Sequence, residues 1–157
     1  MKPITVILSL LLVVMLAFCA FFYVGGGLRH DVRSISASAA SYPEAFKTIA
    51  DTIANGSAPQ VFSTELPDDA SRYTLFDINA TLTNCGIFDA EWLNISVEPA
   101  PGDVAVYSLS GNGMDVAARS SQQINLKLIT RAGNASKRRI TVQYYVYGIS
   151  RTIAFDA

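Results

Sequence analysis

The sequence predicts an all-β fold, an antiparallel β-sandwich of about seven strands, preceded by one transmembrane helix and one short amphipathic helix. Three observations lead to this prediction. One apolar run fills residues 4–24, apolar residues recur with a helical period over 43–55, and from residue 60 onwards apolar and polar residues alternate. A period of two is typical of strands that bury one face, whereas the other two patterns are typical of helices.

The run at 4–24 contains no charged residue. In a helix it would rise by about 1.5 Å per residue, which brings its length to about the thickness of a bilayer hydrocarbon core. The apolar part of a cleaved signal peptide is shorter than this. We therefore predict an uncleaved signal anchor over residues 1–28, which contacts the membrane through residues 4–24. Cleavage near residue 26 stays open as an alternative.

This anchor also sets the expected location of the chain. A run that starts at the extreme N-terminus resembles an export signal, so we expect a single-pass protein of the cell membrane with its C-terminal domain extracytoplasmic. Cys19 and Cys85 are the two cysteines, and Cys19 lies inside the apolar run. The exported domain is therefore expected to depend on its apolar core, since it cannot form an internal disulfide.

Residues 29–57 are predicted to form a Ser/Ala-rich stalk. Apolar or small residues recur at spacings of three and four from Val32 to Ile53, which taken alone suggests a short coiled coil. Pro43 would break such a helix, so a separate helix is predicted over about 43–55, ending before Gly56. The stretch 34–41 is expected to be either a helical extension of the anchor or a flexible linker.

The helix at 43–55 places its apolar residues on one face, which is expected to pack on the domain or, alternatively, on a partner chain. The residues of this face are Phe46, Ile49, Ala50 and Ile53.

The remaining residues, 58–157, are predicted to form the β-sandwich domain. Alternating runs occupy 75–83, 91–98, 103–109, 122–130, 138–147 and 149–156. Turn sequences rich in Gly, Pro and Asn separate these runs, and the last two meet at Gly148 in a tight hairpin. The residues expected to face the core in the first two runs are Phe76, Ile78, Ala80, Leu82, Leu93, Ile95 and Val97.

The segment 81–97, TLTNCGIFDAEWLNISV, resembles the strand–Asn-x-Gly–strand segment of prokaryotic immunoglobulin-like surface modules of the CARDB, LEA14-like and FxLYD-like types. The segment 117–128 is similar to the turn before their next core strand, although it lacks the Pro-Gly that this turn often carries. The resemblance covers residues 72–156. It implies an immunoglobulin-like antiparallel β-sandwich with a role in adhesion, spacing or assembly, and it implies no catalytic residue.

The charges are divided unevenly along the chain. Residues 31–115 hold twelve acidic and three basic residues, whereas residues 116–157 hold seven basic residues and one acidic residue. Early and late strands interleave in a sandwich, so this pattern predicts internal neutralisation. The alternative is a bipolar surface that favours self-association or binding to an anionic envelope polymer.

No residue pattern predicts catalysis. The single histidine, His30, adjoins the apolar run without a neighbouring Cys or His, and no Cys/His spacing suits zinc. Gly-rich phosphate loops, nucleophile elbows and Ser-x-x-Lys motifs are absent from the sequence. We therefore predict a protein that is not an enzyme and that needs no cofactor or metal.

Two sets of residues are candidate sites. Asn-x-Ser/Thr sequons make Asn55, Asn79, Asn94 and Asn134 possible glycosylation sites. Lys137, Arg138 and Arg139 adjoin a tyrosine-bearing strand and form a possible patch for an anionic partner, the alternative being a charged hairpin end that blocks edge pairing. The expected exported location excludes nucleic acid as the partner.

These observations predict a membrane-anchored extracytoplasmic structural or interaction protein, an envelope scaffold or adhesion-type module. Its partner is expected to be another envelope protein or a second copy, bound through a sheet face or an exposed edge. Two alternatives stay open. The chain could be a subunit or membrane anchor of a pilin-like or archaellum-like surface filament, or a secreted ligand-binding module released by signal cleavage.

Overall fold

The computed structural model of the chain describes residues 3–24, 27–134 and 136–157, and it describes side chains outside 21–24. It contains two α-helices, α1 (Pro3–Val24) and α2 (Pro43–Ala54). The strands are β1 (Leu28–Ser38), β2 (Gln60–Val61), β3 (Tyr73–Asn84), β4 (Glu91–Glu98), β5 (Asp103–Leu109), β6 (Ser121–Arg131), β7 (Arg139–Val146) and β8 (Ile149–Asp156).

The strands form two antiparallel sheets that pack face to face as an immunoglobulin-like sandwich. One sheet has the order β1-β3-β6-β5-β2, and the other has the order β4-β7-β8. The predicted all-β fold is therefore confirmed, with eight strands in the described chain. Side chains from both inner faces form the main core, as expected from strands that bury alternate residues.

The predicted phase of the runs 75–83 and 91–98 is also confirmed, whereas Ile149, predicted on the same face as Ile153 and Phe155, is exposed. Ile78, Leu82 and Ile95 are each at most 2% exposed, and their sequence neighbours point outward. The hairpin between β7 and β8 turns at Tyr147 and Gly148, whose φ angles are 52° and 77°. Positive φ at both central residues matches the right-handed twist of a two-residue hairpin.

The expected stalk is wrong in its first part. Residues 28–38 form β1, which pairs with β3 from Leu28 opposite Asn84 to Ser38 opposite Thr74. The stretch 34–41 is therefore neither a helical extension nor a flexible linker. The spacing that suggested a coiled coil falls partly on strand β1, so it does not form a continuous helix. The sequence signal is weak because β1 buries few apolar side chains, chiefly Leu28 and, partly, Val32.

The amphipathic helix predicted at 43–55 is confirmed as α2. Pro43 lies in its first turn, and the chain leaves the helix at Gly56 with a φ of 68°. Phe46, Ile49 and Ile53 are buried against a second cluster that includes Tyr73 and Ile129. These two sheet residues alternate with core residues of β3 and β6, so α2 packs on the outer face of the five-stranded sheet.

Helix α1 is the one described helix that is long and apolar enough to cross a membrane. Its window Pro3–Ala20 has a mean hydropathy of 2.7, and none of that window is buried. By length and composition this helix could be a membrane span or a signal sequence.

Candidate functional site

One end of the sandwich lies next to the point where the chain enters from α1. The Cys85 amide donates to the Gly27 carbonyl at 3.3 Å, and the Leu28 amide donates to the Tyr144 hydroxyl at 3.3 Å. We call this the helix-proximal end. It comprises Gly27 and Leu28, the loops 85–90 and 110–120, and the turn at 147–148.

The helix-proximal end carries most of the exposed large apolar side chains of the sandwich. Ten such side chains are found outside α1 among the described residues, and six of them lie in or beside the loops of this end. We call these six the apolar rim: Ile87, Trp92, Met114, Tyr145, Tyr147 and Ile149. The ring of Tyr147 also contacts that of Phe88, with centroids 5.3 Å apart.

Trp92 owes its position to an irregularity in β4. The register between β4 and β7 shifts between Glu91 and Asn94, and Trp92 has a φ of 57°, which is unusual for a large residue. The Trp92 amide donates to Asp115 Oδ1 at 2.8 Å, and the Leu93 amide donates to the Met114 carbonyl at 3.0 Å. This bulge leaves Leu93 in the core and Trp92 71% exposed.

The outward-pointing amides of β4, on the edge away from β7, donate hydrogen bonds to groups of the other sheet and its loops. Besides the Leu93 contact, the Ile95 amide donates to Asn112 Oδ1 at 2.9 Å and the Val97 amide donates to Gln60 Oε1 at 3.2 Å. These alternate amides point away from β7, and each has a partner. A further strand cannot pair here without displacing those partners.

The opposite edge of the same sheet, at β8, is open. Arg138 and Ala157 exchange two backbone hydrogen bonds of 2.9 Å, and the pairing with β7 continues without a shift. Because bonded and non-bonded pairs alternate in an antiparallel ladder, the backbones of Ser150, Thr152 and Ala154 point away from β7. Within the described part of the chain, no hydrogen bond to these outward amides is found.

A concave surface adjoins the start of this open edge. Its volume is about 360 Å³. Ring stacking of His30 on Phe155, with centroids 4.6 Å apart, connects β1 to β8 further along the same flank. The residues that line the cavity are Tyr144, Ile149, Ser150, Arg151 and Thr152.

Arg138 does not belong to a surface patch, so this part of the predicted anionic-partner site is wrong. Its side chain is 1% exposed and forms two hydrogen bonds with the Asp103 carboxylate, of 2.7 and 3.2 Å. Its guanidinium carbon lies 4.3 Å from the centre of the Phe76 ring. The alternation of the 138–147 run already places residue 138 on the same face as Ile140 and Val142, a signal that contradicts a surface role.

The other two residues of that predicted patch are exposed, but their surroundings are not basic. Arg139 lies opposite Glu98 on one side and Asp156 on the other in the three-stranded sheet. Lys137 lies in the preceding loop. With Arg138 buried and Arg139 between two acids, these three residues do not form a basic surface together with the described residues around them.

The four sequon asparagines differ in their surroundings. Asn55 and Asn94 are exposed, whereas Asn134 is partly buried and donates to the Pro101 carbonyl. Asn79 is exposed but donates to Asp77 Oδ1 at 3.1 Å and accepts from Asn125 at 2.8 Å. Glycosylation of these residues stays a prediction, and the freer amides of Asn55 and Asn94 fit it better.

Asp77 is the centre of a polar cluster on the outer face of the five-stranded sheet. Its carboxylate accepts from Asn125 Nδ2 at 2.6 Å and lies 3.8 Å from Lys127 Nζ. Partial burial raises the pKa of Tyr107, and the negative charge of Asp77 adds to this effect. The cluster is satisfied by its own members, so it acts as a structural polar network.

The acidic and basic parts of the sequence meet in the folded chain. Three ion pairs join an acid from residues 31–115 to a base from residues 116–157. They are Asp77 with Lys127, Glu65 with Arg131, and Asp103 with Arg138. The pairs support internal neutralisation over a bipolar surface.

Among residues 3–24, 27–134 and 136–157, no group of three or more His, Cys, Asp or Glu side chains is placed to hold a metal ion. Strand β1 is also an edge strand, of the five-stranded sheet. The two surfaces with a further distinguishing feature are the β8 edge, beside the concave surface, and the apolar rim. The sequence indicated an exposed edge or face only in general terms, because which edge is closed depends on loops that meet it in the folded chain.

No protein-family model and no curated protein matches this chain. Solved structures do match. The GAE domain of yeast GGA1 is 10% identical with a TM-score of 0.40, over 57% of this chain and 93% of that domain. The GAE domain of GGA2p from Saccharomyces cerevisiae is 13% identical with a TM-score of 0.42, over 64% and 94%. These values carry no information about function, and the resemblance to CARDB-type modules stays a prediction.

Proposed function

We propose that the chain is a membrane-anchored extracytoplasmic interaction protein that binds an extended segment of another envelope protein along β8. In this proposal α1 is the anchor and the sandwich is the binding module. The protein has no catalytic role. Its work is to hold or join envelope components.

The observation that carries this proposal is the difference between the two edges of the three-stranded sheet. Alternate amides of β4 are occupied by Met114, Asn112 and Gln60, whereas the outward amides of β8 have no such partner among the described residues. An added strand gains main-chain hydrogen bonds along an open edge. The concave surface beside Ser150 and Arg151 can receive a side chain of that segment, which gives selectivity.

Proline at position 152 tests the edge without disturbing the hairpin. The Thr152 amide points away from β7, so Thr152→Pro removes an outward donor and leaves the β7–β8 ladder intact. A photoreactive amino acid at Ala154, which is exposed, should cross-link the bound segment in native membranes. We expect an adduct with the full-length chain that is lost in Thr152→Pro and kept in the matched control Thr152→Val.

Two results would contradict strand addition. An adduct of equal yield in Thr152→Pro would show that the partner does not use the main chain of β8, and the absence of an adduct in every variant would show that the edge is unoccupied. An adduct of twice the chain's mass would instead favour the filament-subunit alternative. Circular dichroism melting of each variant checks that the fold is retained.

A further inference from the structure

The side chains of the apolar rim are well exposed and lie at one end of the sandwich. Tyr147 is 74% exposed, Trp92 is 71% exposed and Ile149 is 51% exposed, and all three lie at the helix-proximal end. Exposed apolar residues gathered at one end of a domain are typical of a contact surface. The rim lies at the end of the sandwich, whereas the β8 edge runs along its flank, and Ile149 is the one rim residue that also lines the concave surface of that edge.

The chain itself limits how far this end can be from the apolar helix. Helix α1 ends at Val24, and β1 begins at Leu28. Four peptide steps span at most about 14 Å even when fully extended. If α1 spans the bilayer, the helix-proximal end must therefore lie within reach of the layer of lipid headgroups, whatever the conformation of the connection.

We propose that the helix-proximal end of the sandwich docks on the membrane interface, with Trp92 and Tyr147 inserted among the lipid headgroups. This inference rests on the proposed anchoring by α1. Trp and Tyr are enriched at membrane interfaces because their rings are apolar and their N–H or O–H groups remain hydrated. Ile87 and Ile149 add aliphatic surface beside them.

The charges at this end favour contact by apolar and aromatic groups over attraction to anionic lipid. Exposed Arg29 and Arg119 are offset by exposed Asp89, Glu91 and Asp115. A surface that carries charges of both signs is attracted only weakly to a negatively charged membrane. The contact should therefore persist at high salt and in vesicles of neutral phosphatidylcholine.

The backbone holds Trp92 in this position. A residue in a regular strand has a negative φ, whereas Trp92 has a φ of 57°. Its amide donates to Asp115, which fixes the backbone in this conformation. Conformations of this kind persist where the surrounding structure determines them, and they cluster at functional positions. The bulge therefore keeps Leu93 in the core and leaves the indole exposed beside the loops of the helix-proximal end.

Trp92 also provides the measurement, because it is the one tryptophan of the chain. The full-length protein is reconstituted into phosphatidylcholine vesicles with and without lipids brominated near the headgroup. We expect a blue-shifted emission, and a large loss of intensity in the brominated vesicles that is unchanged by high salt. The variant Tyr147→Ser with Ile87→Ser should lose most of this quenching, and it leaves the concave surface beside β8 unchanged.

A matched control moves the probe to the opposite end. In Trp92→Phe with Tyr42→Trp, the new indole replaces a tyrosine that is 54% exposed beside α2. Its emission should not respond to brominated lipid. Unquenched Trp92 in protein that co-floats with vesicles after carbonate extraction would overturn docking while leaving the anchor intact. Protein that carbonate extracts would overturn the anchoring itself, so the two failures are distinguishable.

Discussion

A fragment of residues 28–157 is expected to fold cooperatively, whereas a fragment of residues 58–157 is expected to remain unfolded. The shorter fragment keeps six of the seven long strands and would look complete from the alternating pattern alone. It lacks β1, which forms eleven residue pairs with β3, and it lacks α2. The prediction therefore tests whether these two elements belong to the packed structure.

The expected effect is large because both elements bury apolar side chains. Leu28, Phe46, Ile49 and Ile53 are each less than 9% exposed. Fully burying one such side chain stabilises by about 1.5–3 kcal/mol, so their joint loss costs about 6–12 kcal/mol. This is comparable with the whole free energy of unfolding of an ordinary domain, about 5–15 kcal/mol.

Circular dichroism melting and urea denaturation of the two fragments measure this difference. Fragment 42–157, which keeps α2 but lacks β1, separates the two contributions and should be intermediate in stability. A cooperative transition of fragment 58–157 at the temperature of fragment 28–157 would contradict the packing described here.

Arg138→Met is expected to destabilise the fold by about 3–5 kcal/mol, because it leaves the Asp103 carboxylate buried without its counter-charge. The Asp103 side chain is fully buried, and its carboxylate also accepts from the Ala100 amide at 2.8 Å. A lone carboxylate in this position must stay charged at high cost or take up a proton.

Arg139→Met is the matched control, since the same change is made one residue further on. Arg139 is exposed and should tolerate it within about 0.5 kcal/mol. The double variant Arg138→Met with Asp103→Asn should recover part of the loss, because the amide carries no charge and still accepts from Ala100. Urea denaturation of fragment 28–157 and of the full chain in detergent gives these values. Equal effects of the two methionine substitutions would contradict a buried ion pair.

The sequence predicts those parts of the fold in which one residue pattern dominates. Alternation locates β3 to β8, and Pro43 with the spacing of Phe46, Ile49 and Ile53 locates α2. Strand β1 is missed because its residues are mainly polar or small, so its stability depends on pairing with β3, which only the folded chain provides.

The candidate site is less predictable for a similar reason. Three consecutive bases suggested an anionic-partner patch, but burial of Arg138 depends on Asp103, thirty-five residues earlier in the sequence. Closure of the β4 edge depends on side chains from β2 and the β5–β6 loop. Such contacts join segments that are distant in the sequence, so no local residue pattern predicts them.

The central claim is that α1 remains attached and anchors an extracytoplasmic sandwich. It is tested most directly by the intact mass of the protein from its native cells, combined with fractionation and external protease. The account predicts that residues 1–26 stay attached to the sandwich in the membrane fraction, and that the sandwich is accessible to protease from outside. Loss of residues 1–26 with release into the medium would contradict it and would favour a secreted binding module.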